Sequence, residues 1–205
     1  MRHRLERHPD DYSAHLNLGT LLLGRNDRAA AIPHLREALK GESEQPQALN
    51  NLGAALQAEG KIGEAQEMFE QAVRAQPQYT AARYNLANAL AAQGRLDEAA
   101  AGFRSLLLST PGDRAATGQL TAVLVRMAES AVSAGKLADA AANYRELAAL
   151  NPENADVRNN LGIILAREGD LAGAVEQFEA ALKVNPAHQA ARRNLEQVRA
   201  RMPRR

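Results

Sequence analysis

Apolar residues recur four apart along this chain: Leu18 and Leu22, Leu52 and Leu56, Leu86 and Leu90, Met127 and Ala131, Leu161 and Leu165. A step of four returns to the same side of an α-helix, so each pair marks one apolar helix face. A small residue follows the first member every time, as Gly19, Gly53, Ala87, Ala128 and Gly162. A small side chain there lets a partner helix come close, and the gain must exceed the roughly 0.8–1.0 kcal/mol that Gly costs inside a helix. Behind each of these helices the pattern predicts a second one: a small residue, a bulky one four later, and an apolar one three after that. The sets are Ala31, Leu35, Ala38; Ala65, Phe69, Ala72; Ala99, Phe103, Leu106; Ala140, Tyr144, Leu147; and Ala174, Phe178, Ala181.

Glycine and proline punctuate the helices at one period. Pro77 and Pro111 are 34 residues apart, as are Pro152 and Pro186, and Pro9 and Ser43 keep the interval with Ser in place of Pro. Gly60 and Gly94, and Gly135 and Gly169, repeat it. These glycines suit a left-handed cap that ends the first helix of a unit, a role Asn26 takes in the first unit. Each Pro falls two or three residues past the second helix, where it interrupts no ladder. Pro33 is expected in the first turn of its helix or just after, where a missing N–H costs little.

Five consecutive units with this L-G…A…F…A…P order resemble the tetratricopeptide repeat, and the resemblance covers about residues 10–188. It implies an all-α fold, a right-handed α-solenoid of helix-turn-helix hairpins with five complete repeats and a C-terminal capping helix. The repeats of this single array are placed at about 12–45, 46–79, 80–113, 114–154 and 155–188, with the cap at 189–201. The bulky residue that the family favours early in the first helix is replaced by His15, Leu49, Arg83, Leu124 and Arg158. The two Arg are expected to lay their stems on a neighbouring helix and keep their charge in water.

Two places break the regularity. Gly94 to Gly135 is 41 residues, the period plus seven. Seven residues add about two helical turns, roughly 10 Å, and Arg114 to Leu120 keep the apolar phase running into Leu124. One long first helix over about 113–134 is therefore expected, as an edge insertion or a partner-specific prong. At the ends, Ala190, Ala191, Leu195 and Val198 read as one face of a polar capping helix. Leu5 to Pro9 resemble the tail of a preceding second helix, so the chain reads as cut from a longer array or as starting with half a unit.

Composition agrees with close-packed helices, since 45% of residues are hydrophobic but only 3% aromatic, leaving Ala and Leu to fill the core. Lys+Arg is 25 against 24 Asp+Glu, so no global field points to nucleic acid or membrane. Without cysteine there is no disulfide, thiol catalysis or Cys-ligated zinc. The first ten residues hold no apolar core of a secretory signal, and no apolar run is long enough to span a bilayer. The expectation is a soluble chain, cytoplasmic, or periplasmic if it was cut from a longer precursor.

No phosphate-cradling loop, dinucleotide fingerprint or zinc motif occurs, and no cofactor or metal is called for. His3, His8, His15, His34 and His188 are scattered singly, without ligand spacing. The six Arg from Gln189 onward lack interleaved aromatics, so they read as solvated charge on the cap and not as a nucleic-acid surface. No residue stands out as catalytic, and the chain is read as a non-enzyme.

The resemblance also implies where a ligand would sit: in a groove lined by first helices, beside the Leu-Gly pairs. Carried onto this sequence, the groove residues are Leu16, Asn17, Thr20 and Leu23; Asn50, Asn51, Ala54 and Gln57; Tyr84, Asn85 and Asn88. Units four and five add Val125, Arg126, Glu129 and Val132, then Asn159, Asn160 and Ile163. The Asn before each Leu recurs as Asn17, Asn51, Asn85 and Asn160, with Arg126 breaking the row. An amide can pair with peptide backbone, as the similar rows of O-GlcNAc transferases do, or with a neighbouring helix. A Lys- and Arg-rich carboxylate clamp is not expected, since Arg126 is opposed by Glu129.

The function expected is a protein–protein interaction scaffold that holds a peptide or helical segment of a partner. Two rival readings are a substrate-recruiting repeat region of a larger enzyme, such as an O-GlcNAc-transferase-like glycosyltransferase, and a module that self-associates through its N-terminal hairpin.

Overall fold

The structure is a computed structural model that describes residues 8, 10–41 and 44–202. The markers Leu5 to Arg7, Pro9 and Ser43, together with His3 and the last two Arg of the basic tail, lie outside the described residues. Among those described there are eleven helices and no strand.

The helices start and stop where side-chain chemistry permits. Asp11 caps α1 (Tyr12–Gly24) by accepting the Ala14 N–H at 2.9 Å. Pro46 opens α3 (Pro46–Ala58) at a position whose N–H would have no helical partner. Asn154 and Asp170 cap α9 (Ala155–Glu168) and α10 (Leu171–Val184) in the same way as Asp11. The hairpin turns need a left-handed residue, and it is supplied at Asn26, Gly60, Gly94, Gly135 and Gly169, with φ from 62° to 93°. Those are the five positions expected from the sequence.

Pro33 departs from expectation. It is the sixth residue of α2 (Arg28–Gly41), past the first turn, and its missing N–H belongs to the interior ladder. Pro33 and Ala29, whose carbonyl loses that partner, are both exposed, so water can take the bond.

The chain forms two compact units, with the boundary between Ala116 and Thr117. The first unit holds α1 to α4 (Ile62–Ala75), α5 (Thr80–Ala92) and α6 (Leu96–Ser109). Each helix packs on the next, and α1, α3 and α5 also touch in sequence, forming a layer of first helices. The small residues make this packing possible. A Cβ built on Gly19 would lie 2.7 Å from the Leu35 side chain, and one on Gly53 would lie 2.6 Å from the Phe69 ring. Leu35, Phe69 and Phe103 have no exposed surface. Arg83 lies along α6 and donates to Ser105 Oγ at 2.7 Å and Ser109 Oγ at 3.2 Å.

The boundary falls inside α7 (Arg114–Ser133), a single 20-residue helix, within the segment that carries the seven extra residues. The second unit continues through α8 (Leu137–Leu150), α9, α10 and α11 (Gln189–Arg201). Ala131, Leu161, Leu165, Phe178, Leu195 and Val198 share its core. A Cβ on Gly162 would lie 2.6 Å from the Phe178 ring, the same contact as Gly53 with Phe69. Helix α11 repeats the first-helix pattern, with Asn194-Leu195 standing 34 residues after Asn160-Leu161, but Glu196 occupies the place of Gly162. A charged side chain there rejects a second helix, and Glu196 is exposed.

Open faces of the first helices as the candidate functional site

The first helices of each unit have a side turned away from their second helices, and the two units build it differently. In the first unit α1, α3 and α5 contain a single Asp, Glu, Lys or Arg, Arg83, whereas the second helices α2, α4 and α6 contain eleven. Arg83 is bonded to α6, so the open side carries no charge of its own. It presents Asn17 and Thr20 exposed, Leu21 at 45% exposure, and Leu16, Leu23, Asn51, Ala54, Gln57, Tyr84, Asn85 and Asn88 half-buried. Tyr84 packs edge-on against Phe103 with ring centroids 5.8 Å apart.

The amides of this face bond mainly to one another. Asn85 Nδ2 donates to Asn50 Oδ1 at 2.9 Å, and Asn51 Nδ2 donates to Thr20 Oγ1 at 3.0 Å. The second unit repeats the first of these bonds where Asn194 Nδ2 donates to Asn159 Oδ1 at 2.9 Å. Asn50 and Asn159 are only 7% and 6% exposed. This corrects their placement as groove residues, because a side chain inserted between two helices and bonded there is not offered to a ligand. Their amides join successive first helices, as a buried polar group requires.

In the second unit Asn160 and Val132 are half-buried, as is Val125, while Arg126, Glu129 and Ile163 are exposed. The Tyr144 hydroxyl bonds to Asn160 and lies near Glu129. Burial and the Glu129 carboxylate raise the Tyr144 phenol above its ordinary value, opposed by the Asn160 bond.

The histidines are not all solitary. His15 Nδ1 and His34 Nδ1 are 2.9 Å apart across α1 and α2, with ring centroids 5.1 Å apart, which corrects the expectation of singly scattered histidines. Their positions, 19 residues apart on two helices, gave no local spacing to notice. His188 caps α11 through Nδ1 and bonds Asp156 through Nε2 at 3.1 Å. Among the described residues no three His, Asp or Glu side chains are grouped to hold a metal ion, and no helix is long and apolar enough to cross a membrane.

Family profiles described as the tetratricopeptide repeat match residues 5–48, 16–60 and 125–188, and another matches residues 56–124. The chain belongs to the tetratricopeptide repeat family. Proteins of this family are generally protein–protein interaction scaffolds without catalytic activity. A comparison with curated proteins finds no match. Among solved structures, the chain is similar to YrrB, described as a tetratricopeptide repeat protein with an unusual peptide-binding site. The two are 22% identical over 95% of this chain and 97% of that one, with a TM-score of 0.63. A tetratricopeptide repeats protein from Bacteroides fragilis gives a TM-score of 0.72 at 18% identity, over 94% of this chain and 99% of that one. The second such domain of human RPAP3, solved with the HSP70 peptide SGPTIEEVD, matches 57% of this chain and 96% of its own at 22% identity and a TM-score of 0.52.

Proposed function

We propose that the open first-helix faces of this tetratricopeptide repeat chain bind a peptide or helical segment of a partner protein. The observation that carries this reading is the segregation of charge in the first unit, one charged residue on three first helices against eleven on three second helices. A surface that only had to stay hydrated would share the charge. Instead this one offers amides, a hydroxyl and aliphatic groups, which suit a segment with few charges of its own. Similarity to repeat proteins described with a peptide-binding site or a bound peptide supports the same reading.

The test is capture of the native partner by wild-type chain and by a variant carrying Asn51→Ala and Asn88→Ala. Asn85 is left intact because its loss would strip the buried Asn50 carbonyl of its donor. Affinity is expected to fall about tenfold while the circular dichroism melt stays in place, two modest polar contacts being lost; unchanged affinity overturns the assignment.

Self-association is a second reading, favoured by Leu21. Its equivalents Ala55, Ala89, Ile164 and Val198, at 34-residue steps within each unit, are at most 4% exposed, whereas Leu21 is 45% exposed. Sedimentation showing a dimer that Leu21→Lys dissolves would support it, and a monomer at every concentration would exclude it.

A further inference from the structure

The second unit differs from the first in the charge of its open face, and the difference can be read in register. Helices α9 and α11 pack side by side, and the bond from Asn194 to Asn159 fixes their relative height. Counting from there, Arg201 lies level with Arg167, and Gln197 level with Ile163. Along α9, Asn160, Ile163 and Arg167 step by three and four and so share one side; along α11, Arg193, Gln197 and Arg201 step by four. Arg167, Arg193 and Arg201 are exposed, and Ile163 is 37% exposed.

Nearby carboxylates do not neutralise this stripe. Asp156, on the same side of α9 one turn before Asn160, is bonded by His188. Glu179 is taken by Arg199. Glu168 and Glu196 are exposed on neighbouring angular positions of the two helices. Glu129 faces Tyr144.

We infer that this face holds an extended acidic segment of a partner protein, with an apolar side chain between two carboxylates. The inference rests on the reading that the open first-helix faces bind peptide, and it names the ligand chemistry for the second unit. Arg193 and Arg201 are eight residues apart, about 12 Å along α11. In an extended chain, carboxylates four residues apart span about 13 Å and point to one side, with the residue midway between them on that side too. That central side chain falls level with Ile163. The guanidinium groups give each carboxylate a charge-assisted, two-pronged partner. Asn160 and Gln197 stand between the Arg ends, where amides can bond the peptide backbone. No aromatic residue lies on the stripe for a base to stack on, so the observations favour an acidic peptide over a nucleic acid.

The experiment uses the full chain and fluorescence anisotropy with a labelled peptide, acetyl-Ser-Glu-Ala-Leu-Ala-Glu-Ser-amide. Its counterpart with both Glu replaced by Gln and a single-stranded oligonucleotide are the competing probes. The acidic peptide is expected to bind about tenfold tighter than the Gln counterpart, and more weakly as salt rises. Arg167→Glu, Arg193→Glu and Arg201→Glu together should weaken it by at least about tenfold, whereas Arg74→Glu on α4 should not. Matching circular dichroism melts establish that the variants are folded. The inference is overturned if the acidic and Gln peptides bind alike, if the triple variant binds as wild type does, or if the oligonucleotide alone binds. If the acidic peptide fails while Asn51→Ala with Asn88→Ala still releases the native partner, only the acidic specificity falls. If neither variant changes any binding, the peptide-binding reading falls with it.

Discussion

The first helices of the two units share a buried side and differ on their open side. Gly53 against Phe69 in the first unit and Gly162 against Phe178 in the second are the same contact at the same 2.6 Å. The bond from Asn85 to Asn50 has its counterpart from Asn194 to Asn159 at the same 2.9 Å. On the open side, α1, α3 and α5 show amides and aliphatics, while α9 and α11 add Arg167, Arg193 and Arg201. Packing tolerates few alternatives at a fully buried contact, so what repeats reports the fold. What does not repeat is released from packing and is where binding specificity can be written.

The strongest way to break that comparison is to empty the shared contact in each unit. Phe69→Ala and Phe178→Ala remove rings that are at most 1% exposed, and each should cost about 3–5 kcal/mol in urea unfolding. Similar losses in the two units would establish one common seam. A loss in only one unit would show that the repeated contact conceals two different packings.

The amide staples come next. Asn85→Ala leaves the buried Asn50 carbonyl unpaired, and Asn194→Ala does the same to Asn159. Each should cost about 1–3 kcal/mol, the penalty for a buried group that loses its partner. Adding Asn50→Leu to Asn85→Ala should recover part of the loss, because the orphaned carbonyl is then gone. A double variant with simply additive losses would rule out the staple.

These contacts also explain what the sequence disclosed. The Leu-small pairs and the bulky residue of each second helix were legible because burial constrains their size at a fixed period. The left-handed Asn26 and Gly60 were legible because backbone geometry restricts the residue type. The amides were ambiguous: Asn is equally suited to bond a ligand or a neighbouring helix, and only the placement of Asn50 and Asn159 between helices decides for those two. The arginine stripe was within reach, since Arg201 repeats Arg167 at the 34-residue period. It was passed over when the cap was treated as outside the repeat, although Asn194-Leu195 carries the first-helix pattern into it. The His15 and His34 pair had no such signal, as it depends on how two helices are rotated against each other.

Glycine offers a smaller test in which one substitution has opposite signs. Ala is the better helix former by about 1 kcal/mol. At Gly118, in the added segment of α7, nothing lies within 4 Å of a Cβ, so Gly118→Ala should stabilise by up to about 1 kcal/mol. At Gly53 the Cβ would meet the fully buried Phe69 ring at 2.6 Å. Overpacking of about 1–3 kcal/mol then outweighs the propensity gain, and Gly53→Ala should destabilise. Thermal melts read both, and stabilisation at Gly53 would mean that the seam yields more easily than its geometry implies.

The smallest effect concerns the one second helix that departs from the seam. Where the others carry Leu35, Phe69, Phe103 and Phe178, α8 carries the half-buried Tyr144, whose hydroxyl reaches Asn160 on the next first helix. Burial raises its pKa first, the Glu129 carboxylate raises it further, and the Asn160 bond lowers it. A phenol whose pKa is raised by folding favours the neutral form in the fold. Its contribution is therefore fully present below the unfolded value near 10 and is lost as pH rises through the folded value. Tyrosinate absorbance, with the Tyr144→Phe spectrum subtracted to remove the other three tyrosines, isolates this titration. Glu129→Gln should move the midpoint down and Asn160→Ala should move it up. If both variants left it in place, Tyr144 would owe its shift to burial alone, and its hydroxyl would not belong to the open face of the second unit.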